Sequence, residues 1–483
     1  MKKTNVPITT LAIFMTTFMT AIEGTIVSTA MPTIVADLNG LEIMNWVVSV
    51  FLLMTAISTP LYGKLADRIG RKPVFLIGIA LFIVGSSLCG LAQNMVELIL
   101  FRIIQGLGSG AIQPVAVTII ADLYALEKRA KMLGLNSGFW GVASVIAPLL
   151  GGFIVQHLSW HWVFYINVPI GIIAFLLVQL FFSEKKRSVD SHLDFKGVLS
   201  LVVLLLALMI FLQELSTPHS SWLLIILGVI SIIAAIAFYK SEKVAEDPLL
   251  PLGMLKDREF LAINLITLFV SGVVIGFEFY IPTWMQGING TNASLAGFAV
   301  TPSSLMWIVG SFLVGSALGK FGIKKTYDYM LLILVLADMV ILMLPMNTNF
   351  WVFCIIAAFN GVAFGIITTA SQVRSQILVS SDKIGVATSF NTLMKYVGQT
   401  MMVSVYGITF NLVIGQHLSR HSDVTQDMMN KIVSSQMAKE LPVNLIPQLR
   451  SILLSGLKSV YWASMVIIII SLCINQTYKK RFR

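Results

Sequence analysis

Long apolar runs separated by short charged segments recur from Ile8 to the tail of this chain, each close to the ~20 residues that carry a helix across a bilayer. A soluble core cannot absorb that much apolar surface: 57% of the 483 residues are hydrophobic, 12% are charged, and mean hydropathy is +0.86. Lipid is therefore the solvent, and a backbone in lipid must satisfy its own hydrogen bonds, which selects helices. The runs predict fourteen spans, at 8–31, 44–62, 74–92, 96–120, 134–157, 162–182, 194–213, 221–239, 260–284, 296–318, 328–345, 350–373, 389–414 and 455–476. The expected class is an all-α integral membrane protein.

The net charge of +10 would suggest a nucleic-acid partner in a soluble protein, but here most of the 33 Lys and Arg fall in alternate inter-span segments. Positive residues accumulate on the cytoplasmic side of a membrane, which predicts that both termini are cytoplasmic. An even number of spans agrees, and no nucleic acid is expected. Met1-Lys2-Lys3 before an apolar run imitates a secretory signal, but the run is too long and Glu23 interrupts it where cleavage would occur, so it reads as the first span. Cys89, Cys354 and Cys473 each lie inside an apolar run with no CxxC spacing, predicting buried core residues, no disulfide and no metal site.

A faint internal repeat organises the spans. Gly63-Lys-Leu-Ala-Asp-Arg-Ile-Gly-Arg-Lys follows the second span, and Gly315-Ser-Ala-Leu-Gly-Lys-Phe-Gly-Ile-Lys follows the tenth. If span ten is the second helix of a second six-helix block, the chain divides as six, two, six: a bundle at 1–190, two inserted helices at 191–245, and a bundle at 246–483. Paired halves with a solute site between them are the architecture of alternating access. The polar stretch at about 415–454 is expected as an external loop that includes an amphipathic segment, Met428 to Glu440, with Leu441-Pro-Val-Asn-Leu-Ile-Pro able to pack an external helix onto the membrane surface.

Four motifs carry chemistry. In the loop after span two, Gly63 and Gly70 permit a tight reversal, while Asp67, Arg68, Arg71 and Lys72 offer ionic locks. Span four places Arg102 within Leu98-Ile-Leu-Phe-Arg-Ile-Ile-Gln105-Gly106, and a guanidinium in an apolar helix is costly enough to mark function. Span five carries Gly138, Gly141, Pro148, Gly151 and Gly152, small residues that let helices approach and a proline that bends one. Span one carries Ile22-Glu23-Gly24-Thr25-Ile26-Val27-Ser28-Thr29-Ala30-Met31-Pro32.

The loop Gly63 to Lys72 resembles the signature loop of the major facilitator superfamily at nearly every position. Span four is similar to that family's proton-transfer motif, and Asp122 and Arg129 resemble its next cytoplasmic loop, which implies a latch with Asp67 and Arg68. Span five resembles the motif of the family's drug exporters, with Ala147 where a glycine usually precedes the proline. Span one resembles the motif of the fourteen-helix drug and proton antiporters, with Glu23 in place of aspartate; Trp160-His161-Trp162 and Asn167-Val-Pro169 resemble the same branch, with His161 where arginine is usual. The resemblance implies a proton-coupled antiporter exporting lipophilic, often cationic, drugs through a bacterial cytoplasmic membrane, as a monomer.

A carboxyl group in hydrocarbon is poised to gain and lose a proton, so Glu23 is the leading coupling group. Glu278, flanked by Phe277, Phe279, Tyr280 and Trp284, is the second, in an aromatic setting suited to flat cations. Asp338 and Arg102 complete the proton-coupling candidates. Gln105, Gln113, Asn136, Trp140 and Asn391, with Phe277, Tyr280 and Trp284, are the candidate cavity residues; for each polar one, a hydrogen bond between helices is the competing role. The 23 Met and 29 Phe suit a deformable pocket. A same-fold exporter of one dedicated solute and a non-transporting receptor are the other readings. No P-loop, nucleophile elbow or metal cluster suggests an enzyme or a cofactor, leaving an ion gradient as the energy source, and one carboxylate suits a proton better than sodium.

Overall fold

The computed structural model describes residues 4–184, 195–215, 221–245, 253–380, 384–420 and 423–477. Among them there is no strand, and twelve helices are long and apolar enough to cross a membrane. In chain order the helices are α1 (Val6–Leu38), α2 (Met44–Ile69), α3 (Arg71–Cys89), α4 (Met95–Leu123), α5 (Leu126–His157), the short α6 (Trp162–Tyr165), α7 (Asn167–Phe181), α8 (Phe195–Glu214) and α9 (Ser221–Val244). There follow α10 (Arg258–Gly287), α11 (Ala293–Met343), α12 (Phe350–Ile377), α13 (Ile384–Leu418), the short α14 (Gln426–Ile432) and α15 (Ile446–Gln476).

Helix starts follow local side-chain chemistry. Asn5, Asn94, Asp257, Asn292 and Asn349 each accept a first-turn N–H that has no intrahelical partner. At α4 the cap is reciprocal: Asn94 Oδ1 accepts from the Glu97 amide at 2.9 Å, and Glu97 Oε2 accepts from the Gln93 amide at 2.9 Å.

The 51 residues of α11 are two helices joined end to end at Gly322, whose φ of 72° and ψ of 167° are not helical. At ~1.5 Å per residue such a stretch is about two and a half times as long as a ~30 Å hydrocarbon layer. The corresponding break in the other repeat is Gly70, with φ of 104°. Both positions require the conformation that glycine alone adopts freely. Each break is also tied to the final long helix of its own half. Lys72 Nζ donates to the Gln179 carbonyl at 2.8 Å and the Phe182 carbonyl at 2.5 Å, and Asn475 donates to the Lys324 carbonyl at 2.9 Å.

Helices α1 to α7 pack mainly on one another, and α10 to α13 with α15 form a second set. Helices α8 and α9 pair with each other, and α8 rests on both sets, against α2 and α13. The sets meet along α5 with α11, α2 with α13, and α1 with α10. Glycines set the α5–α11 approach: a Cβ at Gly152 would lie 2.5 Å from Ser294 Cα, and one at Gly297 would lie 2.2 Å from the Pro148 carbonyl oxygen.

Two expectations change. The stretch foreseen as a loop at 415–454 is largely helical: α13 runs to Leu418, α14 intervenes, and α15 begins at Ile446 because Pro447 suits a helical first turn. Its Met429, Ile432 and Val433 are buried, and Asn430 Oδ1 accepts the Leu41 amide at 3.1 Å. Cys473 is exposed, unlike Cys89 and Cys354, because it lies on an outer face of α15. The boundary foreseen at 190–191 lies outside the described residues.

Substituting Ala at Gly70 or Gly322 is expected to destabilise the fold by roughly 1–2 kcal/mol, the cost of a left-handed non-glycine residue. Thermal unfolding of the purified protein in detergent measures it; wild-type melting temperatures in both variants would contradict the assignment.

Candidate functional site

The most concentrated buried polar cluster in the first helical set is centred on Glu23. Its helix, α1, presents the carboxylate inward against α4, which carries Arg102 one turn before Gln105. Glu23 and Gln105 are 0% exposed and Arg102 is 1% exposed. Arg102 Nη1 pairs with Glu23 Oε1 and also donates to Gln105 Oε1 at 2.8 Å, while its Nε donates to the Val47 carbonyl at 3.0 Å. The guanidinium lies 4.0 Å from the Phe51 ring centroid, a cation–π contact in a dry site. Asn167 of α7 donates from Nδ2 to Glu23 Oε2 at 2.6 Å and to Ser86 Oγ at 3.1 Å. Gln105 Nε2 donates to the same hydroxyl at 3.2 Å, and Ser86 Oγ in turn donates a hydrogen bond to the Phe164 carbonyl at 2.8 Å.

Four long helices and the ring of Phe51 thus enclose one ion pair whose remaining hydrogen-bonding capacity is almost filled. The exception is Asn167 Oδ1, a buried acceptor without a partner. Beside this enclosure α1 opens: a Cβ at Gly24 would meet nothing within 4 Å. The carboxylate itself is fully buried and paired, and the residue that follows it on α1 borders open space.

Gln105 was expected to line a cavity; it instead belongs to this sealed cluster, because its amide completes the shell around Arg102. Asn136 accepts from Thr17 at 2.8 Å, joining α5 to α1. Asn391 donates to Asn264 at 2.9 Å and Thr267 at 3.0 Å, joining α13 to α10. Phe277 and Trp284 are buried among neighbouring side chains, and Tyr280 donates to Asn45 Oδ1 across the two helical sets at 2.8 Å. Gln113 accepts from Tyr396 at 3.0 Å, also across the sets.

Trp140 and Glu278 remain half-buried between the sets. Lys395 is the charged group whose field reaches Glu278, and its ammonium lies 5.7 Å from the Trp140 ring centroid. Asp338 is buried beside Ser464, Tyr406 and Tyr461; among the described residues its Oδ2 and both tyrosine hydroxyls lack hydrogen-bond partners. Arg71 pairs with Asp122 and donates to the Thr118 carbonyl at 2.8 Å, locking the α2–α3 turn to α4. Arg68 is exposed, and the side chains of Asp67 and Arg129 lie outside the described residues. Of the exporter-motif glycines, Gly151 faces Ile26 of α1, Gly141 and Gly152 face α11, and Gly138 faces open space. At the α5–α6 turn, Trp160 donates to Asp37 at 2.8 Å; burial holds the neighbouring His161 imidazole below the ordinary histidine value, against the pull of Asp37.

A family model described as the Major Facilitator Superfamily matches residues 13–402. The chain belongs to that superfamily. Within it, the multidrug transporter protein MdtP of Bacillus subtilis (strain 168) is 32% identical over 480 residues, covering 93% of this chain and 89% of its own length. Multidrug resistance protein 3 of the same organism is 36% identical over 417 residues, covering 84% and 80%. A solved bacterial homolog of the human lysosomal transporter Spinster, inward-facing and occupied, superposes with a TM-score of 0.70 at 19% identity, covering 96% of this chain and 95% of the other. That likeness shows the major facilitator fold. This chain is a multi-pass membrane transporter of the superfamily, not an enzyme.

Sequence reading found Glu23 and Arg102 but not their mutual contact, and it missed Ser86 and Asn45 entirely. Asn167 lay inside a motif already singled out, so its proximity to the aromatic run Trp160 to Tyr165 was the available signal.

Removing one member of the buried pair is expected to cost about 3–5 kcal/mol by leaving the other charge uncompensated. Arg102→Ala therefore lowers the melting temperature much more than the double variant Glu23→Gln with Arg102→Met. Equal losses in the two variants would contradict the pairing.

Proposed function

We propose that this transporter is a proton-coupled antiporter that exports lipophilic drugs, often cationic, from the cytoplasm, with Glu23 as the proton carrier. The observation that carries this reading is the enclosure of Glu23 with Arg102, Gln105 and Asn167 beside the open space at Gly24. The names of the relatives, both multidrug proteins, support the cargo class.

With Glu23 ionised, Arg102 is held by the carboxylate and the cluster is tight. A proton arriving from the open side neutralises Glu23, removes the Coulombic hold on Arg102 and turns the carboxyl into a donor. Asn167 Oδ1 is the free acceptor for that proton after a rotation of the amide. Protonation thereby changes which contacts hold α1 to α4 and α7, a local switch with consequences for whole helices. Substrate charge is met elsewhere, at Glu278 between the two sets, so proton and drug use separate acids. Asp338 is a further protonatable group, placed among unpartnered tyrosine hydroxyls of the second set.

The chain crosses the membrane fourteen times in this reading. The division of α11 at Gly322 and the apolar run Lys196–Leu212 in α8 supply the two spans beyond the twelve. Residues 1–190 and 246–483 form the rocking bundles, 191–245 are the inserted pair, and both termini and the Arg71–Asp122 lock are cytoplasmic. Contacts of Asn430, Tyr280 and Gln286 with the end of α1 and the start of α2 then hold the outer side shut. The protein is read as inward-facing in the bacterial cytoplasmic membrane, and as a monomer.

Glu23→Gln is expected to abolish gradient-driven ethidium efflux from whole cells while the protein remains folded in the membrane. Undiminished efflux by that variant would refute the coupling role. A protein that moves no dye and alters no drug sensitivity, yet transports one metabolite, would favour a dedicated solute.

A further inference from the structure

Lys395 takes no part in the proton cluster, yet α13 carries its charge into the membrane-spanning region, where an uncompensated ion is expensive. Its ammonium lies between two tryptophans, 5.7 Å from the Trp140 centroid and 5.9 Å from the Trp307 centroid, within cation–π range of both. Trp140 belongs to α5 of the first helical set and Trp307 to α11 of the second. Glu278 on α10 is the opposite charge acting on Lys395. Among the described residues no ion pair joins them, so acid and base act on each other without touching.

Opposite charges that stop short of contact each keep the capacity to take a further partner, and here two aromatic rings stand beside the base. The geometry points to a bipolar substrate subsite: Lys395 takes a carboxylate, Glu278 takes an ammonium, and Trp140 and Trp307 hold the planar body between them. This deepens the export reading, on which it rests, by naming the substrate class: zwitterionic aromatic amphiphiles are preferred over simple lipophilic cations. Two consequences separate the roles. A ligand carrying both charges satisfies acid and base together, whereas a pure cation leaves Lys395 unneutralised. A pure cation also competes with the Lys395 ammonium for the same tryptophan faces and is repelled by it.

The test uses the full-length protein reconstituted in vesicles, with a zwitterionic fluoroquinolone, its carboxylate ethyl ester and ethidium as transported probes. Binding of each probe is followed in parallel by tryptophan fluorescence. In Lys395→Met the KM for the fluoroquinolone is expected to rise roughly tenfold, the scale of one charge-assisted contact. The KM for ethidium and for the ester is expected to fall in the same variant, and Lys395→Arg is expected to recover most of the fluoroquinolone affinity. An equal loss for all three probes would overturn the subsite in favour of a structural role, as would an unchanged fluoroquinolone KM. Wild-type export of ethidium without the fluoroquinolone would sink the subsite alone. Export of none of the three would sink the export reading and the subsite with it.

Discussion

The buried pair of Glu23 and Arg102 is the constraint from which the rest of the first helical set follows. Two ions moved from water into a protein interior lose several kcal/mol of hydration each, and only close contact with a complete hydrogen-bonded shell returns it. That demand explains why Gln105 stands one turn from Arg102, why Ser86 and Asn167 converge from α3 and α7, and why the Val47 carbonyl is turned toward the guanidinium. It also explains the small residues around the cluster. A Cβ at Gly85 would lie 2.4 Å from the Gln105 amide nitrogen, and one at Gly106 would lie 2.7 Å from the Phe51 carbonyl oxygen. Helices come together closely here because the ion pair must be enclosed, and glycine lets them.

Much of the fold was legible in the sequence because lipid imposes a simple rule on spanning segments: they are apolar, helical and about one bilayer long. The repeat was legible too, since Gly63 and Gly315 head matching ten-residue segments, and the structure places the left-handed Gly70 and Gly322 at equivalent points within them. How much of the stretch after α13 is helical and buried was not legible, because polarity marks solvent exposure only on average. Met429, Ile432 and Val433 lie in the same short stretch as Asp427 and Lys431, yet they are buried, Ile432 and Val433 against Gly287.

The site was legible in part for a different reason. A charge in an apolar run is visible from composition alone, so Glu23, Arg102, Glu278 and Asp338 stood out. Which charge meets which is decided by helix packing across distant segments, and nothing local encodes that. Glu23 and Glu278 stood out alike in a linear reading; the fold gives Glu23 to Arg102 and leaves Lys395 as the charge acting on Glu278. Uncharged members such as Ser86 carry no distinguishing signal, because a serine hydroxyl in a helix commonly bonds its own backbone.

The division of labour between a sealed proton carrier and an open, half-buried acid is the central claim. The most direct measurement is proton release on drug addition, recorded with a pH indicator in weakly buffered detergent solution of the purified protein. Wild type and Glu278→Gln at saturating drug should release protons, and Glu23→Gln should bind drug without release. Proton release of wild-type size from Glu23→Gln would contradict the account.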